Sequence, residues 1–353
     1  MSRKHVMIMA AGTGGHIFPG LAVADELRRM GVQVSWLGTP EGMENRLVGK
    51  AGYRLESIAI KGLRGRGTAG WLMAPWRVLK ATLQARRLIG KNRPLCVLSM
   101  GGYVAGPGGL AARSLRIPLV IHEQNAVAGL TNRLLRPLAK RVLTGFPDVL
   151  KKAEHVGNPV RANIAALPDP QARFAGRGGP LRLLVIGGSL GARRFGEVVP
   201  EALARLPDSV QVEVVHQAGR ELEVTRQSYH RAGVDGRVVD FIEDMAGAWA
   251  ECDVALCRCG ALTVAEIEAA GVAALLVPFP HAVDDHQYDN ARHLESSGAA
   301  WLVRERDFDA DWLVEKLAAM DRKRLEEMAG RARSLSRRDS AAAVARACLE
   351  VAA

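Results

Sequence analysis

The sequence predicts an α/β protein built of two doubly wound, parallel-sheet domains. Three observations carry that reading. Short apolar runs alternate with stretches that are apolar at helical spacing, along nearly the whole chain. The alternation restarts midway, after a segment rich in Pro and Gly. Each half opens on a strand, a glycine-rich turn and a helix, in that order. The length of 353 residues, more than one hydrophobic core usually serves, agrees with two domains.

In the first half, "HVMIMAA" reads as a strand, "AAGTGGHIFPG" (10–20) as its turn and "GLAVADELRRMG" as the following helix. Then come a strand in "VQVSWLGT", a short helix near "MENRLVGKAG", a strand in "RLESIAI" and a long helix around 70–90. "LCVLSMGG", "GLAARSL" and "LVIHEQN" continue the pattern. Apolar strands separated by helices imply a parallel sheet covered on both faces. The segment 155–180 has weak periodicity and many Pro and Gly residues, as a linker should. The second half begins with "LRLLVIGGSLGARRFGEVVPEALARL", and "VQVEVVHQAG", "RVVDFI", "DVALCRCG" and "AALLVPFP" supply further strands. Ligands of such sheets bind beyond the C-terminal strand ends, so two domains facing each other would form a cleft with a glycine turn on each wall.

Composition narrows the function. No run of 18 apolar residues occurs, and the first apolar run is too short for a secretory leader and reads as a strand. Five cysteines without framework spacing suggest a reducing compartment, and "CRCG" (257–260) lacks a second pair at zinc spacing. The net charge of +11 is matched by one window: from Ser57 to His122 there are 11 Lys or Arg residues and no acid. Such a field suits nucleic acid, an anionic membrane surface or an anionic substrate.

Three glycine turns follow strands, at 12–15, 101–109 and 187–192. Glycines let backbone N–H groups approach a phosphate, or simply let strand and helix pack tightly. Neither 12–15 nor 187–191 fits G-x-G-x-x-G, and no P-loop is present, which disfavours a nicotinamide dehydrogenase and a P-loop NTPase. In "CGALTVAEIEAAG" (259–271) a helix is expected from near Thr263, with Glu266 in its first turn. That carboxylate either takes a ribose diol or compensates the helix dipole. "HAVDDHQYDN" (281–290) offers Gln287 and Asn290 to sugar hydroxyls. "DFDAD" (307–311) contains D-x-D but stands before an apolar helical run, and reads as helix capping.

With these residues in place the chain resembles the MurG family, whose members add N-acetylglucosamine to the lipid-linked muramyl-pentapeptide precursor of peptidoglycan. "GTGGHIFPGLAVA", "GLRGRG", "MGGYVAGPGGLAA", "HEQNAVAGLTN", "GGSLGA" and "CGALTVAEI" occur in the family's order and spacing over essentially the whole chain. The resemblance implies a GT-B glycosyltransferase fold, with an acceptor-side domain over 1–158 and a UDP-GlcNAc domain over 159–337. The last helix, about 338–353, would rejoin the first domain.

It also implies an inverting, metal-independent transfer to the C4 hydroxyl of the muramyl sugar of lipid I, giving lipid II, with no cofactor. On the donor side it implies Ser189 for the diphosphate, Arg161 as a further donor-side contact, Ile242 for uracil and Glu266 for ribose. Ala261, Leu262, Thr263, Val264 and Ala265 would frame sugar and diphosphate, and Gln287 and Asn290 would read GlcNAc. Thr13, Gly14, Gly15 and Asn125 would approach from the other wall. Cys259 stands where many members carry Ser, and His286 where a second Gln is common.

His16 gains a reason from the chemistry. Attack by an acceptor hydroxyl benefits from a general base, and histidine suits neutral pH. A phosphate or acceptor contact and a structural role are the other readings of His16. Tyr103 and Glu123 are further acceptor-side candidates.

In the basic window, Leu72, Trp76, Leu79 and Leu83 share one helical face, beside Arg77 and Lys80. This is either a helix packed on the sheet with a solvated edge or a docking surface on anionic lipid. Arg64 and Arg66 could instead reach the acceptor's pyrophosphate. The resemblance implies a peripheral enzyme on the cytoplasmic face of the cell membrane, whose partners are UDP-GlcNAc, lipid I, the anionic membrane surface and other cell-wall synthesis proteins. A UDP-GlcNAc epimerase of related fold is the nearest alternative. A nucleic-acid-binding protein is the more distant one, since aromatic residues make up only 5% and no RNP, KH or zinc-finger pattern occurs.

Overall fold

A computed structural model describes residues 4–60, 73–188 and 191–351. The chain divides into two compact units, Met1–Arg161 with Arg337–Ala353, and Ala162–Ser336. The first unit contains β1 (His5–Met9), β2 (Gln33–Gly38), β3 (Arg54–Ser57), β4 (Cys96–Ser99), β5 (Leu119–Glu123), β6 (Arg141–Thr144) and β7 (Glu154–His155). They form one parallel sheet in the order β3-β2-β1-β4-β5-β6-β7. Its helices are α1 (Gly14–Arg29), α2 (Met43–Lys50), α3 (Ala74–Asn92), α4 (Ala105–Ser114) and α5 (Leu130–Leu135).

The run "VMIM" is apolar without alternation because β1 is buried on both faces. Val6 and Ile8 join one cluster with Ile17, Val23 and Leu27 of α1, while Met7 and Met9 join another with Ala81, Ala85 and Ile89 of α3. Glycine permits close packing at α1, where a Cβ on Gly20 would stand 2.6 Å from Cη2 of Trp36. That indole is immobile, since Trp36 is fully buried and its Nε1 donates to the Ala10 carbonyl at 2.8 Å.

The second unit holds β8 (Leu181–Ile186), β9 (Val212–Gln217), β10 (Arg237–Val239), β11 (Val254–Cys257), β12 (Ala273–Leu276) and β13 (Ala300–Leu302), parallel in the order β10-β9-β8-β11-β12-β13. Its helices are α6 (Ala162–Ala165), α7 (Pro170–Phe174), α8 (Arg193–Ala204), α9 (Leu222–Ala232), α10 (Met245–Glu251), α11 (Ala261–Ala270), α12 (His286–Ser296), α13 (Ala310–Ala318) and α14 (Arg322–Leu335). Asp309 accepts from the Trp312 N–H at 2.8 Å as the N-cap of α13, which accounts for the D-x-D sequence.

The final helix, α15 (Ser340–Glu350), belongs to the first unit. Val344, Ala345, Ala347 and Cys348 pack in one cluster with Val6, Ile8 and Cys96, and Arg141 pairs with Glu350 at 2.8 Å.

The segment 155–180 is not the plain linker its composition suggests, for most of it is built into the second unit. Phe174 joins that unit's core, and the short α7 is held by Arg173, which donates to the carbonyls of Trp249 at 3.2 Å and Ala270 at 2.7 Å. A buried guanidinium with backbone acceptors fixes a Pro- and Gly-rich stretch that periodicity cannot detect.

Gly20→Ala is expected to destabilise the protein. Overpacking against Trp36 costs about 1–3 kcal/mol, which exceeds the gain of about 1 kcal/mol in helix propensity. Denaturant unfolding of the two proteins checks the sign.

Candidate active site

In the first unit the candidate residues gather beyond the C-terminal ends of β1 and β4. Gly12 has φ +100°, and Gly101 and Gly102 have φ +94° and +80°, conformations that disfavour any side chain. The two turns also pass through each other's side-chain space. A Cβ on Gly102 would lie 2.4 Å from the Ala11 carbonyl oxygen, one on Gly101 would lie 3.0 Å from Nε2 of His16, and one on Gly12 would lie 3.1 Å from Cε1 of Tyr103. His16 and Tyr103 are therefore held against opposite turns. The later glycines of 101–109 serve packing instead: a Cβ on Gly108 would meet Met9, and one on Gly109 would meet Leu135.

His16 is the third residue of α1 and half-buried, with Nδ1 3.3 Å from Oγ1 of Thr13. Thr13 is the N-cap but spends no side-chain bond on capping, and Thr13 and Gly15 are exposed while Gly14 is half-buried. The Thr13 hydroxyl can donate or accept here, so the contact orients the ring, and the tautomer in which Nδ1–H donates is the one that leaves the lone pair on Nε2.

Glu123 ends β5 as a buried carboxylate. It accepts from Asn125 N–H at 3.0 Å, Asn125 Nδ2 at 3.3 Å, Gly129 N–H at 3.0 Å and Asn132 Nδ2 at 2.8 Å. The carboxylate thus shapes the loop that presents Asn125. Arg161 is half-buried, with its guanidinium 5.9 Å from the Phe18 ring centroid.

His122 and Gln124 escaped the sequence reading although both lie in "HEQN". His122 Nε2 donates to the Gly157 carbonyl at 2.9 Å, and Gln124 Nε2 donates to His122 Nδ1 at 3.2 Å. Asn158 Nδ2 donates to the Gln124 carbonyl at 2.9 Å. Burial pushes the His122 imidazole down to about 4, so it stays neutral in the fold.

In the second unit the candidates surround the turn between β11 and α11. The helix begins at Ala261, directly after its N-cap Gly260, and not near Thr263. Glu266 consequently sits in the second turn, where its Oε2 accepts from the buried Trp249 Nε1 at 3.2 Å. Gly260 has no side-chain oxygen to cap the helix, which leaves the first-turn N–H groups of α11 to a ligand. Ala261, Val264 and Ala265 turn their side chains into the core, while Leu262 and Thr263 are half-buried.

The turn is fixed from α12. Gln287 Oε1 accepts from the N–H groups of Cys259 at 3.2 Å and Phe279 at 3.0 Å, and the buried Asn290 donates through Nδ2 to the Cys259 carbonyl at 3.1 Å. His286 Nδ1 donates to the Val283 carbonyl at 2.6 Å. Burial raises the thiols of Cys257 and Cys259, and no group of His, Cys, Asp or Glu able to hold a metal exists among the described residues. Ile242 is half-buried just beyond β10, beside the exposed Phe241.

Ser189, Arg64, Arg66 and Leu72 lie outside the described residues. On α3, Trp76, Leu79 and Leu83 are 64%, 50% and 51% exposed, whereas Ala74, Ala81, Ala85 and Ile89 are buried. The helix packs on three alanines and Ile89 and turns Trp76, Leu79 and Leu83 outward. Lys80 is exposed and Arg77 half-buried beside them.

Protonation of His122 opposes folding. Its value of about 4 in the fold lies below the ordinary 6.5, so the unfolded chain binds the extra proton between these pH values. The contribution is complete above pH 6.5 and is lost as pH falls toward 4, amounting to about 3 kcal/mol. Thermal denaturation from pH 7.5 to 4.5 should show a shallower acid loss for His122→Gln than for the wild type.

Two family descriptions match the chain: the glycosyltransferase family 28 N-terminal domain over residues 6–144 and its C-terminal domain over 182–344. The chain is 56% identical over 350 residues to the UDP-N-acetylglucosamine–N-acetylmuramyl-(pentapeptide) pyrophosphoryl-undecaprenol N-acetylglucosamine transferase of Alkalilimnicola ehrlichii, covering 98% of each. It is 52% identical over 353 residues to the transferase of the same name from Bordetella parapertussis, covering 100% of this chain and 99% of that one. Its fold is similar to the crystal structure of Acinetobacter baumannii MurG, with a TM-score of 0.86 and 43% identity over 98% of this chain and 99% of that one.

Proposed function

The chain belongs to glycosyltransferase family 28, and from that premise we propose the reaction of its full-length relatives, carried out on the two sets of residues described above. It transfers N-acetylglucosamine from UDP-N-acetylglucosamine to N-acetylmuramyl-(pentapeptide) pyrophosphoryl-undecaprenol, a step of peptidoglycan synthesis. Identity above 50% over the whole length of both named transferases carries this conclusion.

The acceptor's C4 hydroxyl attacks the anomeric carbon of GlcNAc, the bond to the diphosphate breaks, and UDP departs with the electron pair. His16 takes the hydroxyl proton at Nε2. The contact with Thr13 supports that role by orienting the ring, and with Nδ1–H as the donor it leaves Nε2 to accept the proton. Tyr103, against Gly12, lies on the acceptor side of the same turns.

Charge developing on UDP meets the open first-turn amides of α11. Glu266, oriented by Trp249, takes the ribose hydroxyls. Ile242 holds uracil through its backbone, and Arg161 is a further donor-side contact. Gln287 and Asn290 hold the 259–260 turn in shape for the sugar, which the backbone bonds of both side chains favour over free recognition of GlcNAc.

The outward stripe of Trp76, Leu79 and Leu83, with Lys80 beside it, docks on an anionic membrane surface. Among the described residues no helix is long and apolar enough to cross a membrane. The acceptor carries a polyprenyl chain, so a lipid-facing surface places the enzyme where its substrate resides.

Transfer of labelled GlcNAc to a short-chain acceptor analogue in the presence of EDTA tests the reading. His16→Ala should lower kcat by about 100-fold or more, with the KM for UDP-GlcNAc little changed. Glu266→Ala should raise that KM by about tenfold. Absence of transfer by folded wild-type protein that still binds UDP would favour the epimerase.

A separate measurement addresses the membrane. Trp76→Ala with Leu79→Ala should reduce sedimentation with phosphatidylglycerol vesicles while leaving activity on the soluble analogue intact. Unchanged sedimentation would assign the stripe to something other than lipid.

A further inference from the structure

We propose that Glu44 is the positioning residue of His16, acting through the backbone of Gly12. The inference rests on the reading of His16 as the base. Glu44 lies outside both glycine turns, in the first turn of α2, and is fully buried.

The ordinary use of an acidic residue there is to compensate its own helix dipole. Glu44 does something further. Its Oε1 accepts from Thr39 N–H at 2.9 Å and Thr39 Oγ1 at 2.7 Å, and its Oε2 accepts from Gly12 N–H at 3.3 Å. The carboxylate therefore ties the end of β2 to the turn after β1.

Two glycines clear the path. A Cβ on Gly42 would lie 2.2 Å from both Glu44 oxygens, and a Cβ on Gly38 would lie 2.7 Å from its Cγ. The N-cap of α2 is Gly42, with no side-chain cap bond. A residue with a side chain at either place would displace the carboxylate from the turn it reaches.

Gly12 is where such a contact has leverage. Its φ of +100° is open to glycine, and the Ala11–Gly12 peptide is the pivot between β1 and α1. Fixing the N–H of that peptide fixes the Ala11 carbonyl, which abuts Gly102. The next residue, Thr13, is the N-cap of α1 and the partner of His16 Nδ1. Each link from Glu44 to the imidazole is thus a hydrogen bond or a close backbone contact. A shift of about 1 Å at the base is enough to cost about 100-fold in rate.

Glu44→Gln keeps the shape but puts an amide NH2 on one of two sites that both face N–H donors, so one contact must fail. Glu44→Asp keeps the charge but is one methylene too short to span both. Thr39→Val removes only the hydroxyl bond and leaves Gly12 held. The full chain of each variant is assayed for kcat, for KM of both substrates and for thermal stability. UDP-GlcNAc affinity is measured by calorimetry, and the Gly12 amide is followed by 15N NMR. Glu44→Gln is also placed in the His16→Ala background.

The expected result is a 10- to 100-fold fall in kcat for Glu44→Gln and Glu44→Asp, UDP-GlcNAc affinity within twofold of wild type, a shifted Gly12 amide and nearly wild-type kcat for Thr39→Val. In the His16→Ala background the added change should cost less than twofold, because both substitutions act on one group. Glu44 loses the role if Glu44→Gln turns over normally, if Thr39→Val is equally impaired, or if the loss persists in full without His16. If His16→Ala alone leaves kcat unchanged, the reading of His16 as base fails first and the positioning role fails with it. An impaired His16→Ala beside a normal Glu44→Gln overturns this inference alone. If Glu44→Gln does not fold, Glu44→Asp and the Gly12 amide carry the same comparison.

Discussion

Beyond the C-terminal ends of β1 and β4, two backbone turns pass so close that no side chain fits between them. The 2.4 Å between a Cβ on Gly102 and the Ala11 carbonyl expresses that constraint most directly. Three consequences follow from the one steric fact. The glycines adopt left-handed conformations because no other residue does so at low cost. His16 and Tyr103 each lie against the opposite turn, in the space a side chain there would occupy. The helix α1 starts without a side-chain cap, since the Thr13 hydroxyl meets the imidazole of His16 instead of a backbone amide.

The second unit solves the corresponding problem with amide side chains. Gln287 and Asn290 reach from α12 to the backbone of Cys259, which sets the turn leading into α11. Glycine at the N-cap then leaves that helix's first amides to a ligand. A cap formed by Ser or Asp would have satisfied part of the same group of donors internally. Trp249 performs for Glu266 what Thr13 does for His16, taking one atom of the functional group and so restricting its orientation.

The helix α3 departs from the usual amphipathic arrangement. An amphipathic helix usually buries its large apolar face. Here Ala74, Ala81 and Ala85 form the packed face together with Ile89, and Trp76, Leu79 and Leu83 are left on the outside. The hydrophobic pattern alone does not distinguish these arrangements, because both faces contain apolar residues.

The sequence by itself determined the two parallel sheets, the order of strand, glycine turn and helix in each half, and the neighbourhood of His16 and Glu266. These are local patterns, legible because periodicity and turn chemistry act over a few residues. Only the tertiary structure decided the rest. It shifted the start of α11 to Ala261 and built most of 155–180 into the second unit through Arg173. It turned Glu123 toward four donors of its own loop and buried Asn290 behind a turn. It brought Glu44 to Gly12 across 32 residues of chain. A carboxylate or an amide looks the same in a sequence whether it faces substrate or backbone. Its partner is chosen by the packing of elements distant along the chain, and no local pattern encodes that choice.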